Sequence, residues 1–264
     1  MAAQIFFIYL PYISAGIFVL GVLYRVWRWM HTPVPLRIPI MPAPRTRGGV
    51  ILRMVGDALW FPSLFKGDKT LWLGSLFFHG FLWLVILRHC RFFLYPVPEW
   101  VTGIQTLGLY AGYLIPLPLL FLLARRLVTE RNLYVSILGD FFALILLLTI
   151  SISGILLQVF FRTYVVEVKA WVLGLIFFRP VIPEINWLFS LHFLCIMVLM
   201  FYFPFGKLMH AGGLFFSPTR NQRADWEKRF VNPWDFPVSY NSLNLFPPEK
   251  YRPSAQEPGE GGKE

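Results

Sequence analysis

The sequence predicts an all-α integral membrane protein with five transmembrane helices. Three observations carry this reading. Of 264 residues, 56% are hydrophobic and only 14% are charged, whereas a soluble domain carries about 25% charged residues. The mean hydropathy is +0.58. The apolar residues also gather into five runs long enough to cross a hydrocarbon core of about 30 Å, which takes roughly 20 helical residues. Two cysteines exclude a disulfide scaffold. Lys and Arg number 24 against 14 Asp and Glu, a net charge of +10. In so apolar a chain that excess points to cytoplasmic loops of a membrane protein, and there is no nucleic-acid motif to suggest that partner.

The predicted spans are 5–24, 71–95, 101–124, 137–161 and 187–207. A sixth apolar stretch, 165–178, is too short and holds Glu167 and Lys169. It reads as an interfacial or re-entrant helix outside the membrane. Residues 50–65, with Ile51, Val55 and Leu59 at helical spacing, read as an amphipathic surface helix leading into the second span.

Orientation follows from the basic residues. The first run has none before it, and Arg25 and Arg28 follow it. A cleaved signal would have the reverse order, so a retained span with its N-terminus outside is expected. Segments 25–70, 125–136 and 207–264 hold eight, three and eight Lys or Arg, whereas 88–100 and 162–186 hold two and three. The positive-inside rule therefore places the first set and the C-terminus in the cytoplasm. The expected organisation is a membrane domain over 1–212 and a cytoplasmic tail over 213–264. In the tail, Phe230, Trp234, Phe236, Tyr240, Leu245 and Phe246 either pack on the protein's own loops or dock a partner, and the end from Pro253 reads as disordered.

Four of the five histidines lie in or at the end of the second and fifth spans: His79, His89, His192 and His210. Ionisable side chains inside a membrane are expensive and usually functional. His79 and His89 are ten residues apart, about 15 Å along a helix and some 80° around it. The fifth span runs the opposite way, so topology pairs His79 with His210 and His89 with His192. The 18-residue interval between His192 and His210 corresponds to about 27 Å of straight helix. The mismatch predicts a kink, unwound turn or strong tilt near Pro204 and Gly206.

Two facing imidazoles at one depth suit the two axial positions of a haem iron, and two pairs suit two b-type haems. The absence of a Cys-x-x-Cys-His motif excludes covalent c-type attachment. Such ligation favours electron transfer. Zinc would want its ligands clustered at one site. A proton relay would use the same residues without needing equal depth, and structural packing is a third reading. Gly74, Gly80, Gly139 and Gly154 lie near these positions and suit close approach of a helix or a flat cofactor. Arg88 and Arg91 lie beside His89, suited to pairing with haem propionates or to reaching water. His31 has no mate at its depth and is left out. Cys90 and Cys195 read as small buried apolar groups.

Five spans with histidines ten apart in the second and 18 apart in the fifth resemble the gamma subunit of respiratory nitrate reductase. The resemblance covers roughly 1–212. It implies a dihaem cytochrome b that exchanges electrons between quinone and a cytoplasmic iron–sulfur partner. It also implies an inner haem on His79 and His210 and an outer haem on His89 and His192. The stretches LWLGSLFFHGFLWLVILRHCRFF and FGKLMHAGGLFFSPTRN look like the membrane cytochrome b of the Dsr complex of dissimilatory sulfur metabolism, which is heterodisulfide-reductase-like. That likeness implies menaquinone or ubiquinone as substrate and a cytoplasmic iron–sulfur subunit as partner. It further implies a second membrane subunit, a periplasmic iron–sulfur protein and a multihaem cytochrome c. It places the chain in the cytoplasmic membrane of a prokaryote, as a subunit of a quinone-linked oxidoreductase. The sequence departs from the nitrate reductase pattern at Arg88, where those relatives have a small residue.

The expected quinone site lies near the outer haem. Arg91, Tyr95 and Glu99 are the polar groups at that level. Arg91 would orient a quinone carbonyl and Glu99 would accept a proton. The bland alternative is an outer loop decorated with polar groups beside Pro96 and Pro98. Two readings of other classes remain open from the residues alone: a haem-free anchor for soluble subunits, and a proton-coupled transporter using the histidines as a relay.

Overall fold

The computed structural model describes residues 1–33 and 39–224. The six large apolar residues of the tail and its end from Pro253 lie outside the described residues.

Among the described residues every regular element is a helix. They are α1 (Ala2–His31), α2 (Arg47–Trp60), α3 (Pro62–Gly67) and α4 (Lys69–His89). A 3₁₀ turn, Cys90–Phe92, extends α4. There follow α5 (Glu99–Val128), α6 (Glu130–Val135), α7 (Leu138–Val159), α8 (Val165–Ile176) and α9 (Trp187–Tyr202). A second 3₁₀ turn, Lys207–Met209, leads into α10 (His210–Gly213). Four helices, α1, α4 with its turn, α5 and α7, are long and apolar enough to cross a bilayer. The pair α9 and Lys207–Gly213, bent by 72°, is the candidate for the fifth crossing, which brings the total to five if the pair is one span. The chain is a multi-pass membrane protein.

The helix starts follow the capping chemistry of the sequence. Asp68 Oδ1 accepts from the Leu71 N–H at 2.9 Å at the head of α4. Thr46 Oγ1 accepts from Gly49 N–H at 3.0 Å, and Asn186 Oδ1 from Phe189 N–H at 2.9 Å. Short polar side chains satisfy N–H groups that have no partner within their own helix. Exposed Leu20, Trp83 and Leu107 face outward from the spans. In lipid an apolar outer surface is the favourable one, because every backbone polar group is satisfied inside the helix.

Packed neighbours run in space α1, α9, α7, α5, α4. The two histidine-bearing helices, α4 and α9, are therefore the ones that do not pack extensively on each other. The bundle has two distinct ends. At one, α8 lies across the start of α1 and the end of α4: the Trp171 indole N–H donates to Phe7 O at 2.8 Å, and Tyr12 Oη–H donates to Leu175 O at 2.8 Å. Trp171 is 1% exposed and packs edge-on to Phe7, Phe189 and Phe193. At the other end, ion pairs bind Arg125 to Asp68, and Arg126 and Lys207 to Asp140.

Three expectations are corrected in detail. The amphipathic segment at 50–65 is two helices, broken at Phe61, whose φ of 47° lies in the left-handed region. The fifth crossing is α-helical only to Tyr202 rather than to 207. Pro204 lacks the N–H that would continue the ladder, and Gly206 is extended at φ −90°, ψ 177°. The short helix at 165–178 ends at Ile176 and is tied into the bundle end through the buried Trp171, so it is a roof on the bundle.

The tail begins in contact with the loop before α2. Ile40 N–H donates to Thr219 O at 3.0 Å and Ala224 N–H to Pro44 O at 2.8 Å. Arg220 pairs with Asp57 at 2.7 Å.

Candidate functional site

The bend in the fifth crossing decides the site. An unbroken helix would carry His210 far from the level of His79. With the 72° turn, the two rings stand with centres 6.0 Å apart and planes perpendicular. Lys207 holds the turn by its side chain, which donates to Asp140 Oδ2 at 2.8 Å. Asp140 is buried, and it also accepts from the Ile137 N–H and pairs with Arg126. The backbone carbonyl of the same Lys207 receives the His210 Nδ1–H at 2.9 Å.

The other three site histidines are oriented in the same sense. His79 Nδ1 lies 2.8 Å from Ser75 O, and His89 Nδ1 lies 2.7 Å from Val85 O. A carbonyl only accepts, so in each case Nδ1 carries the hydrogen. His192 Nδ1 lies 2.9 Å from Ser153 Oγ. The Ser153 hydroxyl spends its hydrogen on Thr149 O at 2.7 Å, so it too accepts from the imidazole. Each neutral ring therefore presents a bare Nε2, the form that ligates a metal, with its other nitrogen bonded to a protein acceptor. His31 makes the same kind of bond, to Trp27 O at 2.9 Å, but it is exposed and rests against Trp27. The facing partner, rather than the Nδ1 bond, distinguishes His79 and His210.

The 6.0 Å between ring centres leaves room for the two imidazoles to hold one metal between them, since a metal–imidazole bond is about 2 Å. Among the described residues no ring contact joins His89 to His192: His89 neighbours Phe92 and His192 is bonded to Ser153. Among the described residues no group of three or more His, Cys, Asp or Glu side chains comes together. Aromatic rings flank the α4 histidines. Phe61 and Phe78 lie 5.1 and 5.0 Å from His79, and Phe92 lies 5.9 Å from His89.

The glycines separate into two kinds. A Cβ on Gly74 would fall 2.5 Å from the Phe121 ring, and one on Gly139 would fall 3.1 Å from Tyr202 Oη. These two serve helix packing. A Cβ on Gly154 would fall 3.3 Å from His192 Cε1, whereas Gly80, next to His79, opens onto free space. These two border the imidazoles.

Glutamines that the sequence did not single out organise the other end. Arg88 Nη1 donates to Gln105 O at 2.8 Å and its Nη2 to Gln158 Oε1 at 3.3 Å. Arg91 Nη1 donates to Gln105 Oε1 at 3.1 Å. Both cations beside His89 are therefore held inside the bundle, where reaching for water was one expectation. Gly108 makes room for Arg88, since a Cβ there would lie 2.6 Å from Arg88 Cβ. No signal in the sequence marks Gln105 or Gln158, because their role comes from three helices meeting.

Arg91, Tyr95 and Glu99 share this end, and they contact Gln105, Lys169 and Thr102 rather than one another. Lys169 Nζ sits 5.0 Å above the exposed Tyr95 ring, and Glu99 is exposed in the first turn of α5. An open cavity of about 420 Å³ at the C-terminal end of α8 is lined by Leu173, Gly174, Phe177 and Arg179. Cys90 and Cys195 are half-buried and unpaired with each other, where full burial was expected.

The sequence is similar to those of known proteins. Residues 61–221 match the family model described as nitrate reductase gamma subunit. The chain is 37% identical over 281 residues to the Hdr-like menaquinol oxidoreductase cytochrome b-like subunit of Archaeoglobus fulgidus, covering 89% of this chain and 85% of the relative. It is 33% identical over 273 residues to the subunit of the same description in Archaeoglobus profundus, covering 86% and 81%. The matched segment begins at Phe61, beside His79, and contains His79, His89, His192 and His210. The chain belongs to the nitrate reductase gamma subunit family.

Proposed function

We propose that the chain is the dihaem cytochrome b subunit of a quinone-linked oxidoreductase. His79 and His210 hold one b-type haem and His89 and His192 the other. The observation that carries this reading is the juxtaposition of His79 and His210, rings 6.0 Å apart with both Nδ1 atoms committed to carbonyls. When bound, the haems supply one-electron carriers at two levels of the membrane.

The distribution of Lys and Arg supports an N-terminus outside and a C-terminus in the cytoplasm. The His79–His210 site then lies toward the cytoplasm. The adjacent tail, 213–264, is the contact for a cytoplasmic iron–sulfur subunit of heterodisulfide-reductase type. The relatives' description as Hdr-like menaquinol oxidoreductase subunits supports that partner and menaquinone as the quinone. A second membrane subunit, a periplasmic iron–sulfur protein, a multihaem cytochrome c and a role in sulfur metabolism belong to the same reading, in the cytoplasmic membrane of a prokaryote.

Quinol is oxidised at the end roofed by α8. Arg91 has N–H donors beyond the one used on Gln105, and it orients a quinone oxygen. Glu99, exposed in the first turn of α5, takes a proton and passes it to water. Tyr95 and the apolar wall of Leu173 and Phe177 shield the head group. Reduction of the purified protein by a short-chain menaquinol, followed by haem absorbance, tests this. Rapid reduction that slows in Glu99→Gln with both haems retained is expected. A wild-type protein that holds haem and is not reduced by quinol would contradict the quinone-linked reading, and an unchanged rate in Glu99→Gln would dismiss that residue's role.

A further inference from the structure

We propose that Arg25 binds an acidic oxygen group of the cofactor held between His79 and His210. The inference rests on the haem reading above and names a further contact for it.

Gly21, Arg25 and Trp29 are four residues apart and so lie one above another. Gly21 abuts Pro204: a Cβ there would fall 2.6 Å from Pro204 Cβ. Trp29 lies against the far side of the same segment, with Cβ atoms on Gly212 and Gly213 falling 3.5 and 3.7 Å from its ring. It also rests 5.6 Å from the Phe216 ring. The face of α1 thus covers the stretch from Pro204 to Gly213 that turns the fifth crossing and presents His210. Arg25 stands at its centre.

Its guanidinium is out of place for a side chain with nothing to bind. Arg25 Nε is buried from solvent and has no hydrogen-bond partner. Four other cations at this end have a carboxylate: Arg125 has Asp68, Arg126 and Lys207 share Asp140, and Arg220 has Asp57. Among the described residues Arg25 forms no ion pair. A buried donor without an acceptor is costly, and a membrane-embedded cation more so. The planar guanidinium fork matches a carboxylate or a phosphate. A b-type porphyrin carries two carboxylates on one edge, and a phospholipid headgroup offers the same oxygen chemistry. The placement of Arg25 on the His210 segment, rather than on the lipid-facing side of α1, favours the porphyrin carboxylate.

A cation beside a haem carboxylate stabilises the reduced state, which carries one less positive charge. The test uses the full chain in detergent, with Arg25→Gln and Arg25→Lys, and titrates haem absorbance against ambient potential. In Arg25→Gln the oxidised-to-reduced ratio of one haem should rise about tenfold at fixed potential, equivalent to about 59 mV for one electron. The other haem should stay unchanged, and Arg25→Lys should fall between. In a His210→Ala background, which keeps only the outer haem, Arg25→Gln should change nothing. Full haem content with unaltered potentials in Arg25→Gln would overturn the proposal. So would unaltered potentials together with loss of a co-purifying anionic phospholipid, measured by mass spectrometry, which would assign Arg25 to lipid. If Arg25→Gln does not fold, unaltered potentials in Arg25→Lys overturn it equally. A wild-type protein without haem would fail the parent reading instead, and the haem content of the wild type separates the two cases.

Discussion

His79 on α4 and His210 on α10 face each other across 6.0 Å, at right angles, although their helices are not among the extensively packed pairs. The pair exists because the fifth crossing turns by 72° after Tyr202. Neither imidazole supports the other through packing, so each should matter to the shared ligand and little to the fold. His79→Ala and His210→Ala should each retain half the haem of the wild type in a pyridine haemochrome assay. His31→Ala, which removes an exposed ring with no facing partner, should retain all of it.

The turn itself depends on Asp140. Its buried carboxylate gathers Lys207, Arg126 and the Ile137 N–H. Removing one partner of a buried ion pair leaves the other charges uncompensated. Lys207 is largely exposed and Arg126 partly so, which reduces the cost to about 1–2 kcal/mol. Asp140→Asn should therefore lower the thermal midpoint modestly. It should also alter the low-spin electron paramagnetic resonance signal of one haem, because Lys207 O is the acceptor for His210 Nδ1. An unchanged signal would mean that the turn holds without this strut.

Gly108 and Arg88 form a lock between α5 and α4. A Cβ at Gly108 would lie 2.6 Å from Arg88 Cβ and 2.8 Å from Leu84 O. Backbone is on one side of the gap, so it cannot relax cheaply. Gly108→Val should cost about 1–3 kcal/mol by overpacking and displace Arg88 from Gln105 and Gln158. Detergent-solubilised yield and thermal stability check this, with Gly103→Val as control, since nothing lies within 4 Å of a Cβ there.

Asp68 gives a pH prediction. Its carboxyl is lowered from 3.8 to about 2, first by the Leu71 N–H, then by the Thr70 hydroxyl, with Arg125 adding to the effect. A depressed folded value means that this stabilisation is present above the unfolded value, near 3.8, and is lost as pH falls toward 2. Between those limits Asp68→Asn should show a shallower loss of stability with falling pH than the wild type. Parallel slopes in acid-unfolding curves would contradict it.

Much of this architecture was legible in the sequence because hydropathy and histidine spacing are properties of single helices. The span positions and the expectation of a break near Pro204 and Gly206 follow from run lengths and from a proline without an N–H. What was not legible arises where separate helices meet. Gln105 bridges Arg88 and Arg91 only because α5 lies against α4. Ser153 reaches His192 only because α7 lies against α9. Phe61 breaks the surface helix in a left-handed conformation that no propensity predicts for phenylalanine, and its ring rests 5.1 Å from His79. Of the glycines marked by sequence, Gly74 and Gly139 proved to serve packing and Gly154 to border an imidazole, a distinction that needs the neighbours.

The central claim is that four histidines on two helices hold two haems. The most direct measurement is the visible spectrum of the purified chain, oxidised and dithionite-reduced, with haem quantified as the pyridine haemochrome. The account predicts two b-type haems per chain with low-spin spectra. A folded, freshly isolated protein without haem would contradict it.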